Sequence, residues 1–281
     1  MRTTSRATSG VAVLMGALLI CGTGCSSLRY SSDDELWAES DQRFDSGQYE
    51  DSVEYYDEIL RRDEESAKAL LRRGIAHERS GENNAALRDY AAAGRAGDHR
   101  GYLFRASLNI DIGATSEAEE DLALLRDAGL NGRDQVIQLA LVGALRLAQG
   151  QHQLAAQSLE RATEMGKSYN DADTRRQVSK AHQNASQAYY KLGDFSRAYD
   201  HMISYASASS GTTLSEQDLL DSPADHLSGA DHFMLGLLAY LNNDFEATEI
   251  HLSRADGALV AQAREELDDP TFGTGVQGGV K

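Results

Sequence analysis

The chain has 281 residues, 41% of them hydrophobic and 25% charged, and a formal net charge of −17. That composition is ordinary for a folded protein and argues against a disordered chain. So acidic a surface repels phosphate backbones, which argues against nucleic acid as a partner and against direct docking on an anionic membrane face. The two prolines, Pro223 and Pro270, are few for this length, so long uninterrupted helices are expected.

The chain opens with "MRTTSRATSGVAVLMGALLICGTGCSS". Arg2 and Arg6 give a positive start, residues 11–20 are a ten-residue apolar run, and small residues lead to Cys25. This is the layout of a secretory signal peptide, and the run is too short to span a bilayer, which takes about 20 residues. The two cysteines of the chain, Cys21 and Cys25, both lie here. Cleavage before Cys25 would leave a single thiol and no disulfide framework. "GTGC" resembles a bacterial lipobox, with Gly22 where leucine is expected. The resemblance implies a lipoprotein signal peptide at 1–24, lipidation at Cys25, and a polar tether over 25–32. An ordinary signal peptide cut nearby is the alternative. Ser26 resembles the residue that sends lipoproteins to the outer membrane. The expected location is therefore the bacterial cell envelope, facing the periplasm, with membrane contact through the N-terminal lipid only.

From residue 33 the chain repeats itself. Gly47, Gly81, Gly113, Gly150, Gly193 and then Asn243 mark turns spaced 34, 32, 37, 43 and 50 residues apart. Glycine and asparagine tolerate the left-handed backbone that ends a helix. Seven residues before each turn stand Ser40, Gly74, Ala106, Gly143, Ser186 and Gly236, all small. Five after stand Ser52, Ala86, Ala118, Ala155, Ala198 and Thr248, small again. Nine after stand Tyr56, Tyr90, Leu122, Leu159, Met202 and Leu252, all large. Twelve after, residues such as Ile59, Leu125 and Tyr205 are apolar or aromatic. Antiparallel helices need small residues where their axes approach most closely and large ones beyond. A single pair cannot bury its apolar face, whereas stacked pairs can.

"GQYEDSVEYYDEIL", "GENNAALRDYAAA", "GQHQLAAQSLERA" and "GDFSRAYDHMISY" resemble the second helix of a tetratricopeptide repeat, and "LLRRGIAHERSG" and "LALVGALRLAQG" the first. The resemblance covers most of residues 33–257. It implies an all-α, right-handed superhelical solenoid of about six helix-turn-helix repeats. They are expected at roughly 33–66, 67–99, 100–131, 132–166, 175–207 and 229–257, with a capping helix at 258–267. An inserted polar loop is expected over 208–228 and a flexible, glycine-rich tail over 268–281.

Catalytic constellations are absent from the pattern. "EMGKS" has Arg161 where a phosphate loop needs glycine. The eight histidines are scattered, and His226 with His232 is too sparse a pair to suggest a metal. No enzyme activity, cofactor or metal is expected. The resemblance implies a concave groove, lined by the first helix of each repeat at positions ten, six, three and two before the turn. This gives Gln183, Gln187, Tyr190 and Lys191 in the fifth repeat, Phe233 and Tyr240 in the sixth, and Arg79 in the second. Trp37, the single tryptophan, stands in the first repeat. Glutamine and lysine bond backbone or carboxylate, and aromatics anchor interfaces. The expected function is a lipid-anchored adaptor that holds a protein or peptide segment in the groove and supports assembly of an envelope complex. A regulatory subunit for a cell-wall enzyme and a pilotin-like secretin assembly factor are the alternatives.

Overall fold

The computed structural model describes residues 28–221, 226–267 and Phe272. The signal peptide, Cys25, the first residues of the tether, Pro223 in the insertion and all of the tail but Phe272 lie outside the described residues.

The described residues are all-α, without a strand. In chain order the helices are α1 (Asp33–Asp45), α2 (Tyr49–Arg62), α3 (Ala67–Arg79), α4 (Asn83–Arg95), α5 (Arg100–Asp111), α6 (Thr115–Leu124) and α7 (Gly132–Ala148). Then come α8 (His152–Gly166), α9 (Ala172–Leu192), α10 (Phe195–Ser210), α11 (Glu216–Asp221), α12 (Gly229–Leu241), α13 (Phe245–Ser253) and α14 (Gly257–Glu266). Twelve of them form six consecutive pairs, and α14 follows as the closing helix.

The six turns share one geometry. Gly47, Gly81, Gly113, Gly150 and Gly193 have φ between 73° and 81°, and Asn243, the non-glycine positive-φ residue of the described chain, has φ 62°. The amide after each turn residue donates to the carbonyl five residues earlier: Gln48 to Arg43, Glu82 to His77, Ala114 to Asn109, Gln151 to Arg146, Asp194 to Tyr189 and Asp244 to Ala239. These bonds satisfy carbonyls that the helix end would otherwise leave open.

The small positions are small for a packing reason. A Cβ on Gly74 would meet the Tyr90 ring at 2.7 Å, and one on Gly236 would meet Leu252 at 2.5 Å. Gly143 stands against Leu159 in the same way. In each case the large residue nine after the turn lies on the glycine seven before it. Ser40, Ala106 and Ser186 fill the same place in the other repeats and are fully buried.

The helices fall into two compact units, one ending at Asp98 and the other beginning at His99. The first holds α1–α4 around Leu36, Tyr56, Tyr90 and Leu70. Its N-terminal end is fastened: Arg62 donates to the carbonyls of Leu28 (3.0 Å) and Arg29 (3.4 Å) and pairs with Asp33 at 2.7 Å. The polar tether expected over 25–32 is thus tied down from Leu28 onward. The second unit holds α5–α14 around cores that include Leu103, Leu125, Leu159, Tyr189, Met202 and Leu235.

The insertion expected as a polar loop over 208–228 differs in the structure. α10 continues to Ser210, and Glu216–Asp221 forms a helix whose Leu219 is 1% exposed. Leu227 is also buried. Arg254, just after α13, donates to the carbonyls of Leu219 (2.8 Å) and Leu220 (3.1 Å). Isolated leucines in a polar stretch have no period to reveal them, so the sequence reads as loop. Their burial removes apolar surface from water, and that holds the segment down.

Candidate functional site

The expected groove residues lie in both units and are described unit by unit. In the first, Trp37 on α1 is half-buried, edge-on to Tyr56 with ring centroids 6.0 Å apart. The Lys68 ammonium sits 3.7 Å from its ring centre, so one face of the indole is already taken by a cation. Arg79 is exposed at the end of α3.

In the second unit, α9 presents two faces. Ala181, Ala185, Ser186, Ala188 and Tyr189 are buried. Gln183 and Tyr190 are half-exposed, and Gln187 and Lys191 fully exposed. Among the described residues, Gln183 and Gln187 make no side-chain hydrogen bond, and Lys191 makes no ion pair. Tyr190 leans on Phe195 at 5.8 Å, and the Lys191 ammonium lies 5.8 Å from its ring centre. These four residues form one stripe of uncommitted donors, acceptors and ring surface. Phe233 on α12 is half-buried beside the same aromatic cluster.

Tyr240 is a correction. It is 8% exposed and packs edge-on against Phe245 (6.3 Å) and Phe272 (5.1 Å), with Val260 and Ala263 of α14 in the same cluster. It is core rather than open lining, because α14 and Phe272 cover it. Phe272 itself, expected within a flexible tail, is 1% exposed, and its carbonyl accepts from Arg264 Nε at 2.5 Å.

A second feature escaped the sequence reading. His182 and His201 meet Nδ1 to Nδ1 at 2.9 Å, and His232 and His251 do so at 3.3 Å. Both pairs stand eleven before and eight after their turn residue. In the second and third repeats the position eight after the turn carries Asp89 and Asp121. These pair with Arg73 (2.7 Å) and Arg105 (Nε at 2.8 Å). The same place thus joins the two helices of a repeat by an ion pair early in the chain and by a histidine pair late in it. A shared Nδ1 proton requires one ring to donate and the other to accept. Burial, then the neighbouring histidine, pushes His182 down to about 3 and His251 down to about 4. Burial also lowers His201 and His232. The common offsets were legible in the sequence, but only with the turn residues as origin. Among the described residues no group of three or more His, Cys, Asp and Glu could hold a metal.

The geometry matches known structures. The chain superposes on Cut9 from the APC/C hetero-tetramer Cut9–Hcn1 with a TM-score of 0.61 at 16% identity, over 90% of this chain and 48% of Cut9. It therefore spans about half the length of Cut9. It matches PilW, a widely conserved type IV pilus biogenesis factor, with a TM-score of 0.60 at 13% identity, over 86% of this chain and 96% of PilW. It matches YrrB, a TPR protein with an unusual peptide-binding site, with a TM-score of 0.50 at 17% identity, over 76% of this chain and 99% of YrrB. The chain has the tetratricopeptide-repeat fold. No family model matches it, and no curated protein does. Among the described residues no helix is long and apolar enough to cross a membrane.

Proposed function

We propose that this tetratricopeptide-repeat chain is a non-enzymatic adaptor that binds an extended segment of another protein along the α9 face. The observation that carries the reading is the stripe of Gln183, Gln187, Tyr190 and Lys191. It combines amides and a cation that have no hydrogen-bond or ion-pair partner among the described residues with a half-exposed ring on one helix. Amides of this kind bond a peptide backbone, the ammonium takes a carboxylate, and the ring supplies contact area at low entropic cost. Phe233 extends the stripe, while Trp37 and Arg79 offer a separate surface in the first unit. Anchoring through a lipid on Cys25, at the outer membrane and facing the periplasm, belongs to the same proposal. With that lipid, the fastening of Leu28 by Arg62 would hold the first unit within three residues of the bilayer.

The setting we favour is assembly of a bacterial envelope complex. The near full-length match to PilW supports a pilotin-like variant of it, in which the partner is a secretin. Regulation of a cell-wall enzyme is the other setting. The test is a photo-crosslinking residue at Gln187, with a matched probe at the exposed Gln157 of α8, in cells that make the full chain. Capture of one dominant protein at Gln187 and not at Gln157 supports the adaptor. Equal capture at both positions, or none at Gln187, refutes the α9 face as the binding surface.

A further inference from the structure

α9 is the longest described helix, at 21 residues, and α10, which follows it, runs for 16. The first turns of α9 and the last turn of α10 enclose a depression of about 290 Å³, lined by Ala172, Arg175, Arg176, Ser179, Ser209 and Gly211 among others. Two guanidinium groups line it and no described acidic residue does.

Arg175 is held but not neutralised. Its Nε is buried and has no hydrogen-bond partner among the described residues. No described carboxylate lies within ion-pair distance of it, unlike Arg73 and Arg105, whose carboxylate partners are buried. Gly211 ends α10 with φ 73°, and a Cβ there would meet Arg175 Nη1 at 2.7 Å. The absent side chain makes room for the guanidinium to lie against the helix end. Arg176 has only Asp173, at 4.0 Å and exposed. Ser209 and Ser210 already donate to backbone carbonyls, at 2.8 Å each, to Tyr205 and Ser207, so the uncommitted side-chain donors of the depression are the Ser179 hydroxyl and the guanidinium N–H groups other than the shielded Arg175 Nε. A buried donor left unpaired is costly, and a guanidinium fork matches the two oxygens of a carboxylate or phosphoryl group.

We propose that this depression is a binding site for a single oxyanion group, a phosphoryl or a carboxylate, with Arg175 as the fork and Arg176 as the second charge. Its volume suits one such group with a few attached atoms. The site is separate from the Gln183–Lys191 stripe and does not depend on it.

The test is a titration of the protein with inorganic phosphate, and separately with acetate, at constant ionic strength held by chloride. The signals read are the Arg175 Nε–H and the Gly211 amide by NMR. Saturable shifts with roughly millimolar dissociation constants are expected from one charge-assisted bidentate contact. Saturation by phosphate alone assigns a phosphoryl ligand, and saturation by acetate alone a carboxylate. Arg175→Gln should abolish the saturation, and Arg175→Lys should weaken it about tenfold or more, because an ammonium keeps the charge and loses the fork. Arg176→Gln, on the exposed side, should weaken it without affecting the fold. Linear shifts equal to those produced by chloride overturn the proposal. So does saturation that survives in Arg175→Gln.

Discussion

Acid should loosen the last two repeats before the others, and the histidine pairs set the scale. His182, down to about 3, and His251, down to about 4, stay neutral in the folded chain well below the pH at which a free imidazole takes a proton, near 6.5. The unfolded chain therefore binds more protons than the folded one as pH falls below about 6.5. Stability contributed by these groups is complete above that pH and is lost as pH falls toward the folded values. At pH 5 the loss is about 2 kcal/mol for each of the two, or about 4 kcal/mol together. That is a large part of the roughly 5–15 kcal/mol that holds an ordinary domain. His182 and His201 are faced by Lys167, Arg197, Glu160 and Asp200, and His232 and His251 by Arg254, His226, Asp231 and Asp244. The assay is urea unfolding at pH 7.5, 6 and 5 for the native chain and for His182→Gln with His251→Gln, read as the change with pH within each protein. The double variant should lose about half as much stability on acidification as the native chain, or less. An equal loss in both would refute the reasoning, as would an NMR titration placing His182 protonation near 6.5.

Two further perturbations test the packing. Gly143→Ala would press a methyl group into Leu159 and should lower stability by about 1–3 kcal/mol in urea unfolding, whereas Gly257→Ala, at an open position, should stay within about 0.5 kcal/mol. Asp121→Asn would remove the counter-charge of Arg105 and one partner of Asn109. Because Arg105 keeps some solvent contact, with a side chain 25% exposed, the cost should fall at about 2–3 kcal/mol, below the usual range for a broken buried pair, and a double-mutant cycle with Arg105 should recover part of it.

The repeat was legible in the sequence because it is enforced locally. A left-handed turn residue, a small residue seven before it and a large one nine after it follow from how two adjacent helices must meet, and each of these distances is short along the chain. The turn at Asn243, which lacks glycine, was placed by the same spacing. The exposed stripe on α9 falls at positions that the resemblance to the repeat family, counted from Gly193, had singled out. What the sequence could not reveal were contacts without a period. Leu219, Leu227 and Phe272 are single apolar residues in polar or glycine-rich stretches, and only the fold shows that each meets a core. Tyr240 sits at a groove position in the sequence, yet α14 and Phe272 close over it. The division of the helices at Asp98 and the unneutralised Arg175 were likewise decided by tertiary structure. In each case the deciding energy comes from which surfaces and charges are brought together across the fold, and no local spacing encodes that.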